Sequence, residues 1–320
     1  MSNPRIENEQ LKDASYKWCQ KQAKGKPVLA IQDTTEINYQ KKAGRLSQED
    51  VELGPVGNDS DIGFFLHPTL VIDVESCFPL GVSCIHDWNR DWKKRSKEER
   101  GYKNQAIEEK ESYRWIESAQ FSKEVLQEAL HLTIIGDRES DIYEELVEIP
   151  DEHCDLLIRS GRDRRLHDSK EHLFGFLSSL PVRGENCIEI KGHKKRKDRV
   201  AQLEIRYERV KIARPMNRRG SELPPYVELN AIEVREKDNS VPEGEEPIVW
   251  RLLTTHEIQS VEEAWMYVRW YSYRWWIEEL FRVLKKKGLQ VEEAQYESGL
   301  ALKRLVILCL QAALTIMQLK

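Results

Sequence analysis

Two short apolar runs, each closed by an aspartate, restrict the folds open to this chain. Residues 28–32 read VLAIQ and run into Asp33; residues 132–136 read LTIIG and run into Asp137. Apolar runs of this length, with no helical periodicity, read as buried core strands. Each therefore delivers a carboxylate at the C-terminal end of a strand. A third such run, residues 155–159, ends in Arg159.

The segments around these strands complete an α/β pattern. Residues 7–24 have helical composition, and Gly25-Lys26-Pro27 ends them. Residues 44–61 are polar and rich in Gly, Asp and Ser, which predicts a loop. Residues 63–75 and 80–88 read as strands joined by a turn at Cys77-Phe78-Pro79, an antiparallel hairpin. Residues 91–101 read as a charged loop. Residues 108–129 read as a helix with Trp115, Ala119 and Val125 toward the core. Ser140-Asp141 is placed to cap a short helix. The order of elements predicts a mixed sheet flanked by helices.

Beyond residue 165 the character changes. Short β-like runs at 187–190, 202–210, 226–235 and 248–253 alternate with Gly, Pro and Asn loops. One long helix is expected over 261–287, about 40 Å at 1.5 Å per residue. Ser260 with Glu263 forms its capping box, and Gly288 is its C-cap. A last helix covers 299–319. Its apolar run contains Gln311 and Gln318 and follows Lys303 and Arg304, so it reads as a buried helix and not a membrane span. The chain thus divides into a helical linker (1–27), the first part of an α/β domain (28–164), a β-rich insertion (165–255) and the domain's C-terminal helices (256–320).

The net charge of −5 conceals an uneven distribution. Residues 191–219 hold twelve Lys or Arg against Asp198, Glu204 and Glu208, a local excess of about +9. Such asymmetry points to a polyanion at one face. The six cysteines show no CxxC pairing and read as thiols of a reducing cytoplasm, not a zinc site or a disulfide framework. The histidines show no HExxH spacing. The N-terminal MSNPRIENEQ has no apolar core, which argues against a signal peptide.

Tyr271, Arg274, Glu278 and Lys285 are spaced three, four and seven apart. On a helix that spacing holds them within a stripe roughly 60° wide. Arg274 with Glu278 is also an ordinary i, i+4 ion pair, worth a few tenths of a kcal/mol. Set beside Asp33 and Asp137, however, Glu278 gains a second reading. Carboxylates from distant segments can hold two hard cations such as Mg²⁺. Two such ions clamp the attacking and leaving oxygens of an in-line phosphoryl displacement.

Three blocks carry a family likeness: AIQDTT (30–35), IIGDRESDI (134–142), and Y-x2-R-x3-E-x6-K within YSYRWWIEELFRVLK (271–285). In this order they resemble bacterial cut-and-paste DDE transposases of the insertion-sequence-four group, the relatives of the Tn-five transposase, over about residues 28–320. The resemblance implies an RNase H-like fold interrupted by a β-rich insertion. It implies a metal-binding catalytic triad of Asp33, Asp137 and Glu278 holding two Mg²⁺ ions, with Mn²⁺ able to substitute. Tyr271, Arg274, Lys285 and Arg159 would contact DNA phosphates. Trp250 is either a core tryptophan of its strand or, as in the family, a platform for a base flipped from the DNA end.

Neighbouring residues take lesser roles. Asp33 before Thr34-Thr35 also fits a turn residue. Asp141 is better read as a helix cap, and Glu279 as solvated or ion-paired. Arg282 is a further phosphate candidate. Arg162 and Arg164 would form a basic rim, and 194–197 either a backbone clamp or a solvated loop.

The implied activity is metal-dependent DNA strand cleavage and strand transfer. The partners would be double-stranded DNA at the transposon end and the target, with a homodimer on DNA in the full-length form. The setting would be a bacterial cytoplasm, at the nucleoid. Asp33 stands close to Met1, and the chain stops one helix after Lys285. The family's N-terminal end-reading domain and most of its C-terminal dimerisation segment are therefore expected to be missing. The alternative is a catalytically silent truncated transposase that binds DNA or inhibits an intact one.

Overall fold

The computed structural model describes residues 7–47, 49–93, 105–167, 169–190, 198–218, 222–286 and 288–319. They form two compact units. The charged segment expected at 91–101 and the basic run 194–197 fall partly or wholly outside the described residues.

The first unit comprises Met1–Ile135, Glu152–Cys154 and Tyr273–Lys320. Its sheet has the order β2 (Thr35–Asn38), β4 (Asp61–Asp73), β1 (Pro27–Gln32), β6 (His131–Gly136). β3 (Gly54–Val56) and β5 (Pro79–Trp88) also pair with β4. β1 runs antiparallel to β4 and parallel to β6, so the sheet is mixed, as expected. Val28, Leu29, Ala30 and Ile31 are all buried, which fits a strand with no polar alternation. β4 and β5 form the expected antiparallel hairpin, with irregularities at Thr69/Leu70 and Val71/Ile72.

Helices cover this sheet because they carry the apolar surface that it needs to bury. α1 (Asn8–Ala23) packs on β5 and buries Tyr16, Cys19 and Ala23. The approach is close: a Cβ on Gly81 of β5 would lie 2.6 Å from Cys19 Cβ, so only glycine fits there. α3 (Tyr113–Val125) packs on β5, β1 and β4, with Trp115 and Ala119 buried and Val125 half-buried. Its start is later than the helix expected from residue 108; Ile107–Glu109 is a separate 3-10 turn.

The polar segment 44–61 is more ordered than a loop. It contains the end of a 3-10 turn (Gln40–Arg45), β3, and a single turn, α2 (Gly57–Ser60), with Asn58 and Asp59 at positive φ. Gly, Asn and Asp are the residues that tolerate this backbone, so the composition marked a tight turn and not an open loop.

α7 (Trp275–Lys285) and α8 (Gly299–Gln318) complete the unit. α8 is long and apolar enough to cross a membrane by length and composition, with a mean hydropathy of 1.8. Here it packs against α1, α7 and β5. Its buried Lys303 reaches Glu52 at 2.8 Å and Asp87 at 3.2 Å, partners that hold a charge inside a core.

The second unit comprises Gly136–Asp151 and Asp155–Ser272. Its strands are β7 (Cys154–Arg159), β11 (Val249–Thr254), β10 (Tyr226–Glu236), β9 (Arg199–Ala213) and β8 (Gly184–Ile190), in that order, all antiparallel. α4 (Tyr143–Glu148), α5 (Leu173–Ser179) and α6 (Val261–Ser272) accompany them. The β-rich segment read from sequence is thus a meander of long strands.

Among the described residues, four of the basic side chains of 191–219 have acidic partners within the unit. Arg199 pairs with Glu236 and Glu245, Arg206 with Glu204, Arg209 with Glu228 and Glu257, and Arg218 with Glu144. A linear count misses partners that arrive from β10, α4 and the loop before α6. The helix expected over 261–287 is two helices, α6 and α7, broken at Tyr273 and Arg274. There the chain makes i→i+3 bonds, Trp276 N–H to Tyr273 O (2.9 Å) and Ile277 N–H to Arg274 O (3.2 Å). The run WYSYRWW is crowded with aromatic side chains, which weaken helix propensity locally. The four residues of the expected stripe therefore do not lie on one continuous helix. Only half of the expected capping box forms as drawn: Ser260 Oγ accepts the Glu263 N–H (3.2 Å), while Glu263 accepts from Gln259 N–H (2.7 Å).

Candidate active site

Asp33 follows the last residue of β1. Its Oδ1 accepts the Thr34 N–H at 2.8 Å. Its Oδ2 accepts from Arg274 Nη1 at 2.7 Å, across 241 positions of sequence. The same guanidinium donates through Nη2 to Glu278 Oε1. One cation therefore joins the acid at the end of a core strand to the acid in the first turn of α7. The Asp33 and Glu278 side chains are 17% and 36% exposed, so solutes can reach both.

α7 holds this arrangement because it is strongly amphipathic. Ile277, Leu280, Val283 and Leu284 are buried, and that face fixes the roll of the helix. Arg274 is its N-cap residue, and Glu278 lies in its first turn, where the helix dipole favours an anion. Lys285, seven residues on, returns to nearly the same face. Its Nζ donates to Glu36 O (2.7 Å) and pairs with Glu292 (3.1 Å), tying the end of α7 to β2. Glu279 pairs with Arg282 on the flank, as expected for an acid off the stripe. Trp275, beside Arg274, is 65% exposed. Sequence reasoning did not single it out, since a tryptophan in an aromatic run reads as core until the helix roll is known.

Two close carboxylates that share a guanidinium are a donor set of hard oxygens, which suits Mg²⁺ or Mn²⁺. Asp33 and Glu278 are the residues of the first unit that would hold such an ion.

In the first unit, Ile31 of β1 pairs in parallel register with Ile135 of β6. Asp137 is the second residue after Ile135, as Asp33 is the second after Ile31. Asp137 itself belongs to the second unit. It caps the 3-10 turn Arg138–Ser140 by accepting the Glu139 N–H at 2.7 Å.

The segment after Asp137 is anchored by two buried acids. Asp141 is not the helix cap that the sequence implied; α4 is preceded by Ile142 with no side-chain cap. Instead Asp141 Oδ1 accepts from Arg164 Nε (2.7 Å), and Oδ2 accepts the N–H groups of Gly161 (2.9 Å) and Arg162 (3.0 Å). Arg164 is therefore buried and not part of a basic rim, whereas Arg162 is exposed.

Glu145 of α4 is also fully buried. Ser140 Oγ donates to its Oε1 (2.8 Å), and its Oε2 has no hydrogen-bond partner. Burial first, with the Asp141 and Asp137 charges adding, pushes its carboxyl up to about 8. The folded unit thus keeps a proton that the unfolded chain releases near pH 4.5. Stability from this group is full below about pH 4.5 and falls as pH rises toward about 8. Glu145→Gln, which mimics the protonated acid, is expected to match the parent in urea unfolding near pH 4.5. Near pH 8.5 it is expected to exceed it by a margin on the order of a few kcal/mol. Equal urea midpoints at both pH values would contradict this.

The remaining candidates also lie in the second unit. Arg159, at the end of β7, donates from Nη2 to Val249 O at 3.4 Å. Trp250 lines a cleft of about 280 Å³ with Ile248, Val234, Trp265 and Arg269. Tyr271 of α6 is buried and meets the Trp250 ring edge-on at 5.4 Å between centroids. No family model matches the sequence.

Proposed function

We propose that this chain is a transposase catalytic core of RNase H-like fold that cleaves and joins DNA strands with Mg²⁺. The observation that carries the reading is Arg274. It clasps Asp33 and Glu278 together, two acids that belong to separate sequence blocks and are far apart along the chain. A chance i, i+4 pair would engage Glu278 alone. Asp137 enters as the third carboxylate on the sequence match alone.

When bound, two Mg²⁺ ions would lower the pKa of the attacking water and neutralise charge on the phosphate. The chain's own groups do the rest. Asp33 and Glu278 would hold the ions, with Asp137 joined to them on the sequence match. Arg274 and Lys285 would exchange their present acidic or carbonyl partners for phosphate oxygens; Arg159 and Tyr271 are phosphate contacts on the sequence match alone. Trp250, in an apolar cleft, supplies a face for a displaced base.

The test is strand scission of supercoiled plasmid, and joining of a pre-cut 3′-OH duplex to it, with Mg²⁺ or Mn²⁺ against EDTA. Metal-dependent nicks and joined products are expected. DNA binding with no turnover in either assay would leave the silent, inhibitory chain as the correct reading.

The position of Arg274 gives a second expected outcome. Its guanidinium competes with a metal ion for both carboxylates. Arg274→Gln is therefore expected to raise Mn²⁺ affinity in the absence of DNA by about tenfold, from the loss of two charge-assisted hydrogen bonds. The same change should weaken cleavage, because a phosphate contact is lost. Titration calorimetry showing equal or weaker Mn²⁺ binding would contradict the competition.

A further inference from the structure

A hydrogen-bonded chain runs behind Asp33 within the first unit. Thr34 is the residue whose N–H the Asp33 carboxylate uses. Its hydroxyl accepts from Arg114 Nε of α3 at 3.1 Å. It also lies 2.9 Å from His67 Nδ1 of β4. Arg114 engages one lone pair of that oxygen, and a neutral imidazole can accept the hydroxyl hydrogen. Burial, with the Arg114 and His86 charges adding, pushes His67 well below the ordinary histidine range, so the ring is neutral. It is fully buried and packs edge-on against Trp115 at 4.6 Å.

Arg114 is itself fixed. Its Nη1 donates to Glu111 O at 2.8 Å, and its guanidinium lies 5.1 Å from the centre of the Trp88 ring. Three elements, α3, β4 and the end of β1, thus converge on one threonine hydroxyl. Thr34 lies between β1 and β2, and a valine has nearly its shape. Burying a hydroxyl costs free energy unless its partners are all in place. The arrangement is satisfied and directional, and it sits one residue from a carboxylate that other groups already hold in a single orientation.

We propose that Thr34, Arg114 and His67 are positioning residues for Asp33. They fix the Asp33–Thr34 peptide so that its N–H holds Oδ1 and directs Oδ2 toward the cation site. The proposal rests on the reading of Asp33 as a metal-binding carboxylate. The partners of metal ligands commonly change affinity by about 10–100-fold when removed.

The experiment measures Mn²⁺ binding to the full chain by titration calorimetry, with thermal unfolding as the check on folding. Asp33→Asn is run first. If it leaves Mn²⁺ binding unchanged, the metal-site reading fails and the positioning proposal falls with it. With Asp33→Asn abolishing binding, Thr34→Val is expected to lower Mn²⁺ affinity at least about tenfold, and Thr34→Ser, which keeps the hydroxyl, to return it to within about twofold of the parent. A purely structural threonine would lower the unfolding temperature and leave affinity alone. Unchanged affinity in a folded Thr34→Val protein overturns the proposal while leaving the metal site standing. Should Thr34→Val unfold, Arg114→Gln decides on the same scale: the same tenfold loss supports the proposal, and parental affinity overturns it.

Discussion

Glu278→Gln is expected to abolish metal-dependent strand scission while leaving DNA binding intact. The carboxamide keeps the size and the hydrogen-bonding reach of the side chain but removes the charge that would hold a divalent ion. A loss of at least about 10³-fold is expected, roughly 4 kcal/mol of transition-state stabilisation. DNA affinity should be equal or slightly higher, because a negative charge leaves a surface that would face phosphates. Arg274 keeps its bond to Asp33 in the variant, so the fold around the first turn of α7 is retained. Plasmid nicking at the parental rate by this variant would remove Glu278 from the chemistry and with it the two-metal reading.

The largest expected effect on stability lies in the second unit, at Arg164 and Asp141. Their side chains are 5% and 0% exposed, and each satisfies backbone groups as well as its partner. Arg164 Nη2 donates to the Asp141 carbonyl at 2.7 Å, so the guanidinium closes a ring around one residue. Arg164→Met leaves the carboxylate buried without its cation, a change worth about 3–5 kcal/mol. The midpoint of thermal unfolding should fall by roughly 10 °C. Adding Asp141→Asn removes the stranded charge and still offers an oxygen to the Gly161 and Arg162 N–H groups. The double variant should therefore lose less than the sum of the two singles. An Arg164→Met midpoint within about 2 °C of the parent would show that the pair is not a structural anchor.

Much of the architecture could be read in advance because it depends on local pattern. β1 and β6 announce themselves as uninterrupted apolar runs, and every strand of the second unit's meander overlaps a run expected from composition. The acids at the ends of β1 and β6 were visible for the same reason: a buried strand must end, and the residue after it is polar. The helix break at Tyr273 and Arg274 was not visible, since helical spacing continues through it. Asp141 looked like a cap because Ser-Asp before a short helix is the local signature of one. Its partner Arg164 lies 23 positions away and has no sequence mark.

The residues themselves determined the strand ends and the spacing of Glu278 and Lys285 on α7. Those depend on periodicity and covalent order, which a linear string preserves. Pairings between distant charged and polar groups were decided only by the folded chain. Arg274 with Asp33, Arg199 with Glu236, Lys303 with Asp87, and Thr34 with Arg114 and His67 are all of this kind. A charge in sequence has many candidate partners. Burial, which makes an unpaired one costly, selects among them only once the core has formed.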